Sequence, residues 1–217
     1  MNEYSFSHKQ REHKLSNTSI ARSTHMPKTE KQCRQIREDT KNRILKASSL
    51  YFARNGFGDT KIGDLARHIG IGQGTIYLYF KSKEELFEEI RKRAENRDEI
   101  KRLKMLAKLP IPAGTKIDKI SSEMENKLST DEEYVVKITI LTQLLLEQKD
   151  TLYKNDLYKI LAGIVKQGQK EGSVVEGDAL YLADLYWGTV YMYALKKLFV
   201  PDCKMVTKDT LSRLLVK

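Results

Sequence analysis

Between positions 73 and 79 the chain places Gln73, Gly74, Thr75, Tyr77, Leu78 and Tyr79, side chains that can read a nucleic acid but hold no titratable pair for acid–base catalysis. With Ile76, Tyr79 and Phe80 turned to one side of a helix, the 3.6-residue period sends Gly74 and Leu78 to the other side and leaves Thr75 and Tyr77 on the flanks. An exposed leucine beside a glycine makes little sense in water. On the floor of a major groove the glycine permits close approach and the leucine covers a thymine methyl, while Gln73 can pair with an adenine edge. Thr75, Tyr77 and Tyr79 offer hydroxyls to phosphates; Tyr79, on the inward side, suits core packing equally well. Lys83 falls in the first turn of the next helix, where a cation is unfavourable by a few tenths of a kcal/mol unless an anion is near. A phosphate would be that anion. Thr60 and Lys61, at the start of the preceding helix, complete the expected DNA-binding set.

The elements that position these residues follow from the spacing over Thr60–Lys83. Ile62, Leu65, Ala66 and Ile69 repeat helically, Gly70-Ile71-Gly72 interrupts, and Ile76 restarts the pattern. That is a helix, a tight turn and a second helix, with small Ala66 and Gly70 where a steep crossing and a positive φ are needed. A first helix over Thr40–Asn55, capped by Thr40 and carrying Ile44, Leu45, Ser48, Tyr51 and Phe52 inward, braces the pair, and Gly56 stops it. Asp59 or Thr60 is the expected cap of the second helix, and Ser82 with Glu85 forms a capping box for the fourth. Over Thr40–Lys83 eight basic residues face two acidic ones, Asp59 and Asp64. Within a chain of 217 residues and net charge +10, this points to a polyanionic partner.

The other chemistry-bearing residues are scattered. The four histidines stand at positions 8, 13, 25 and 68, none placed to pair with Cys203, and no His, Cys or Glu spacing fits a metal. No catalytic residue, metal or cofactor is expected. Gly70, Gly72 and Gly74 follow a helix where a dinucleotide loop would follow a strand. Cys33 and Cys203 read as unpaired thiols in a reducing compartment, and no apolar run follows a basic start. A cytoplasmic protein is expected.

The run Ile44–Leu86, ILKASSLYFARNGFGDTKIGDLARHIGIGQGTIYLYFKSKEEL, resembles the N-terminal domain of the tetracycline-repressor (TetR) family of bacterial transcription regulators. The resemblance covers about a fifth of the chain. It implies an all-α homodimer in which an N-terminal three-helix helix-turn-helix head is joined by a long helix to a helical ligand-binding and dimerisation domain. Lys61 stands where the family usually has Thr or Ser, Gly72 where it has Ser, and Gln73 where it often has Lys, so the operator sequence is open.

The expected division is a basic arm over 1–39, with Lys9, Arg11, Lys14 and Arg22 suited to a minor groove, a DNA-binding domain over 40–85, and an effector-binding and dimerisation domain over 86–217. One helix over Lys83–Leu109 would act as a lever between the last two. Beyond Pro110 and Pro112, helices are expected over Lys116–Leu128, Asp131–Lys149, Leu152–Lys170, Glu176–Val200 and Thr207–Val216. An unidentified, largely apolar effector would lie among Leu141–Leu146, Leu157–Ile164 and Tyr181–Tyr193. Over Ala179–Val200 that last long helix is apolar nearly all round, yet Asp184, Lys196 and Lys197 argue against a membrane span. A homodimer through Glu176–Val200 and Thr207–Val216, with Gly188 and Ala194 allowing close approach, accounts for it. The expected function is a repressor that a small apolar ligand releases from an inverted-repeat operator in double-stranded DNA. A ligand-independent DNA-binding or architectural protein is the alternative, and an enzyme a more remote one.

Overall fold

The computed structural model describes residues 29–94, 97–147, 156–200 and 202–217. Ten helices follow one another among them: α1 (Glu30–Asn55), α2 (Ile62–Ile69), α3 (Gln73–Tyr77), α4 (Lys83–Ala94), α5 (Arg97–Lys108), α6 (Ala113–Thr130), α7 (Glu132–Glu147), α8 (Asp156–Lys170), α9 (Ala179–Phe199) and α10 (Lys208–Ser212). The fold is all-α. An isolated antiparallel bridge joins Val174 to Val216.

Helix α1 starts ten residues before the expected cap at Thr40. Thr29 caps it instead: its Oγ1 accepts the Gln32 N–H, and Gln32 Oε1 accepts the Thr29 N–H, a reciprocal box. Residues 30–39 are exposed throughout, so no apolar stripe marks them, and the helical preference of Glu, Lys, Gln and Arg carries them. By internal contacts the chain up to Arg37 forms one unit and Glu38–Lys217 another. The arm residues Lys9, Arg11, Lys14 and Arg22 lie outside the described residues.

Two apolar cores fill the larger unit. Ile44, Leu45 and Phe52 of α1, Leu65 and Ala66 of α2, Ile76 of α3, Phe80, and Leu86 and Ile90 of α4 form the core of the head. Val136 and Ile140 of α7 join that core, both almost fully buried. Hence a boundary at residue 85 divides groups that pack together. The second core draws on α5 to α10, with Tyr158, Tyr186 and Trp187 among its largest members. The expected lever falls on α4 and α5, with Glu95 and Asn96 between them outside the described residues, as is Leu152, the expected start of α8.

Capping sets several of the boundaries. Asp131 Oδ1 accepts the Tyr134 N–H at the start of α7, Asp178 Oδ1 accepts the Tyr181 N–H at α9, and Thr207 Oγ1 accepts the Thr210 N–H at α10. At the start of α6 the Ala113 N–H goes to the Glu171 carboxylate, 2.8 Å away at the end of α8. Gly168 is needed because α8 turns back tightly: a Cβ there would lie 2.2 Å from Val174 Cγ2.

Candidate nucleic-acid interface and effector cavity

The turn between α2 and α3 is a Schellman motif. Gly70 takes a left-handed φ of 74°, its N–H bonds to Arg67 O, and the Ile71 N–H bonds back to Ala66 O, which satisfies the last carbonyls of α2. Helix α3 is only five residues long and is extended by hydrogen bonds from Leu78 N–H to Gly74 O and from Phe80 N–H to Ile76 O. Ile76 and Phe80 are buried, Gln73, Gly74 and Tyr77 exposed, and Thr75 and Tyr79 half-buried. Leu78 is 74% exposed. The face expected to point outward therefore does so, and Tyr79 packs partly against the head core. Gly63 had no sequence signal of its own, yet a Cβ there would stand 3.4 Å from Gln73 Oε1. The glutamine side chain lies back over α2 at that glycine.

Thr60 and Lys83 have different places from those expected. Thr60 is buried and its Oγ1 donates to Gly56 O at 2.6 Å; Lys61 is the N-cap of α2, with no side-chain cap bond. The Thr60 hydroxyl closes the α1–α2 turn and leaves exposed Lys61 as the cation at a helix start. Lys83 turns its ammonium inward. Its Nζ donates to Phe57 O at 2.9 Å and to Gly58 O and Thr60 O at 3.1 Å, and lies 4.4 Å from the Phe57 ring centroid. The Phe57 ring stacks on Phe87 with centroids 4.3 Å apart. Carbonyl oxygens thus supply what a phosphate was expected to supply, and Lys83 pins the α1–α2 turn to α4. Half of the expected capping box forms: Ser82 Oγ accepts the Glu85 N–H, but the Glu85 carboxylate reaches one residue further back and takes the Lys81 N–H rather than that of Ser82.

In the second core a cavity of about 330 Å³ opens between α5, α6, α8 and α9. Leu103, Leu106, Ile120, Met124, Leu157 and Trp187 give it apolar walls, and Glu99, Arg102, Lys119 and Glu123 bring charge to it. Leu157 and Trp187 belong to the expected stretches. The expected α7 wall is replaced by α6, because α7 turns Val136 and Ile140 to the head; the side chains of Leu144–Leu146 lie outside the described residues. Tyr134 of α7 meets the cavity lining: its hydroxyl donates to Glu99 Oε1 at 3.2 Å, beside Lys127, which pairs with Glu99 at 2.9 Å and Glu123 at 2.7 Å. Burial, then the Glu99 carboxylate, push the Tyr134 phenol far above its ordinary value, so it stays a donor. Burial pushes Tyr191 up to about 12.

On α9, Leu182, Ala183, Tyr186, Trp187, Val190, Tyr191 and Ala194 are buried within the chain. Tyr181, Leu185, Gly188, Met192 and Phe199 are exposed, at alternating four- and three-residue steps once half-buried Leu195 is included. Ala194 therefore packs inside its own chain and only Gly188 stands on the outer stripe. Helix α10 covers half the span expected of it and docks on α6, Ser212 Oγ donating to Asp118 at 2.7 Å, while Asp209, Thr210 and Arg213 face water. Among the described residues no helix is long and apolar enough to cross a membrane, and no His, Cys, Asp and Glu cluster could hold a metal.

The family described as "Bacterial regulatory proteins, tetR family" matches residues 44–90, the stretch that builds this head. Over 155 residues the chain is 30% identical to the fatty acid metabolism regulator protein of Bacillus subtilis (strain 168), covering 68% of this chain and 77% of that protein. Two solved structures share the fold. The transcriptional regulator FadR from Bacillus subtilis in complex with stearoyl-CoA has a TM-score of 0.53 at 23% identity, over 80% of this chain and 96% of that one. SmeT, the repressor of the Stenotrophomonas maltophilia multidrug efflux pump SmeDEF, has a TM-score of 0.54 at 18% identity, over 82% and 90%.

Proposed function

Because the chain belongs to the tetR family of bacterial regulatory proteins, and so is a DNA-binding transcription regulator, we propose that it is a homodimeric repressor released from an inverted-repeat operator by a long-chain acyl ligand. The observation that carries the DNA reading is the outward face of α3, where Leu78 is 74% exposed beside bare Gly74. In this reading Gln73 and Leu78 read bases, Thr75, Tyr77 and the outer edge of Tyr79 meet phosphates, and Lys61 approaches the backbone from the start of α2. Thr60 and Lys83 hold the unit in shape. A helix of five residues reads few base pairs, so two heads on successive major grooves are required. The outer stripe of α9 supports the dimer.

The acyl ligand is supported by the fatty acid metabolism regulator of Bacillus subtilis at 30% identity, by the stearoyl-CoA bound in a protein of the same fold, and by the apolar walls of the cavity. Occupation would shift α5 and α6 and alter the spacing of the two heads, a coupling on the order of 1–3 kcal/mol.

Fluorescence anisotropy with selected duplexes tests both parts. Affinity should fall on the order of 10³-fold between 50 and 200 mM salt, and an inverted repeat should bind far better than a half-site. Gln73→Ala and Leu78→Ala should each relax preference at particular base pairs by ~1–3 kcal/mol. Stearoyl-CoA titrated into the protein–operator complex should release the DNA. Ligand binding that leaves operator affinity unchanged would make the second core a dimerisation scaffold alone.

A further inference from the structure

A groove of about 350 Å³ runs between α5 and α8, apart from the cavity above, with Lys104, Lys108 and Lys159 along it and Ile160 and Gly163 on its floor. Three lysines face one aspartate: Lys104 Nζ lies 2.6 Å from Asp156, and among the described residues neither Lys108 nor Lys159 has a carboxylate within ion-pair distance. A fourth cation lies beneath. Lys116 is 2% exposed, and its Nζ donates to Ala107 O at 2.7 Å and Gln167 Oε1 at 2.8 Å, both residues lining the groove. Glu171 is linked to it through the Gln167 amide, which the carboxylate accepts at 2.6 Å. An ammonium held this deep is poorly screened, so its field reaches the groove floor.

The floor itself adds an independent observation. Gly163 stands exposed in the middle of α8, where a glycine weakens a helix relative to alanine. No neighbour requires it, since a Cβ there would meet nothing within 4 Å. What the glycine does is leave bare backbone between the lysines. None of the DNA-facing side chains of α2 and α3 lines this groove.

We propose that the α5–α8 groove binds the phosphate groups of an organic phosphate, which Lys104, Lys108 and Lys159 neutralise while the rest of the molecule lies on Ile160 and the open backbone at Gly163. The site goes beyond the effector reading and stands without it. Its phosphates come either from the head group of the molecule that fills the cavity or from a separate phosphorylated metabolite.

Calorimetry on the full chain without DNA tests it, using inorganic pyrophosphate, free coenzyme A and stearate. Coenzyme A should bind one per chain, and stearate should ignore the groove. Lys108→Glu with Lys159→Glu should weaken coenzyme A by ~10-fold or more, with operator binding in the absence of ligand unchanged. Gly163→Leu, which alters no charge and fills open space, should weaken coenzyme A while sparing pyrophosphate, and it decides the matter if the double variant does not fold. Failure of the native chain to bind either phosphate compound overturns the proposal, as does native affinity for coenzyme A in the variants. Competition of pyrophosphate with stearoyl-CoA would identify the head group as the source; simultaneous binding would identify a separate metabolite. Stearate that binds while coenzyme A does not would leave the acyl reading standing and remove this one.

Discussion

Lys61 and Lys83 carry the same charge on the same head, yet Lys83 is tied into the fold while Lys61 stands exposed at the start of α2. The Lys83 ammonium satisfies three carbonyls and a ring face, so Lys83→Met should cost about 2 kcal/mol of stability, read as a lower midpoint in denaturant. Its operator affinity should fall with an unchanged salt slope. Lys61→Ala should do the reverse, keeping stability and reducing the slope of log affinity against log salt by about one. A sequence cannot separate these two lysines, because both stand at a helix start and each follows a hydroxyl residue, Thr60 or Ser82. Only the fold brings Phe57 O, Gly58 O and Thr60 O to one point within reach of position 83. Thr60 was illegible for the same reason: its hydroxyl turns back to Gly56, a choice set by how the α1–α2 turn closes. By contrast the outward turn of Gly74 and Leu78 follows from helical period alone.

Among the elements, α9 shows how an all-round apolar helix is shared out. One side fills the chain's own core and the other leaves Tyr181, Leu185, Gly188, Met192 and Phe199 in water. Leu185→Glu combined with Met192→Glu should therefore yield a monomer in light scattering, with the helix content of the native chain and with operator binding lost. A wild-type mass for that variant would move the dimer interface elsewhere. Helix existence was legible throughout, since apolar periodicity, prolines and caps mark most boundaries to within a few residues. The first ten residues of α1 were not, because exposed polar residues carry no periodicity. The cavity was only half legible: Leu157 and Trp187 follow from apolar stretches, but the choice of α6 over α7 for the opposite wall depends on which way α7 faces.

At the scale of the molecule, acid should be the destabilising direction. The Ala113 N–H, then the Gln167 amide, hold the Glu171 carboxyl below its ordinary value, and Arg91 does the same for Glu88. A carboxylate lowered in the native state binds its proton first in the unfolded chain. The stability it contributes is therefore whole above the unfolded value, ~4.3, and drains away as pH falls through the native one. Melting temperature should hold between pH 7 and about 5.5 and decline below about 4.5, and Glu171→Gln should make that decline shallower.

Val136 and Ile140 of α7 lie in the head core, 42 and 46 residues beyond Ala94, the end of its last helix. Removing everything after Ala94 would strip two well-buried aliphatic groups from that core, a loss of ~3–6 kcal/mol, and the isolated segment should show a non-cooperative melt. The same two side chains limit how such regulators can be recombined. A head grafted from another regulator brings its own socket for whatever its former body inserted there, so a chimera joined at the α4 boundary inherits a mismatch that no linker adjustment repairs. Grafts that also exchange positions 136 and 140 should recover cooperative unfolding, and the recombination unit is then two separated stretches of chain that travel together.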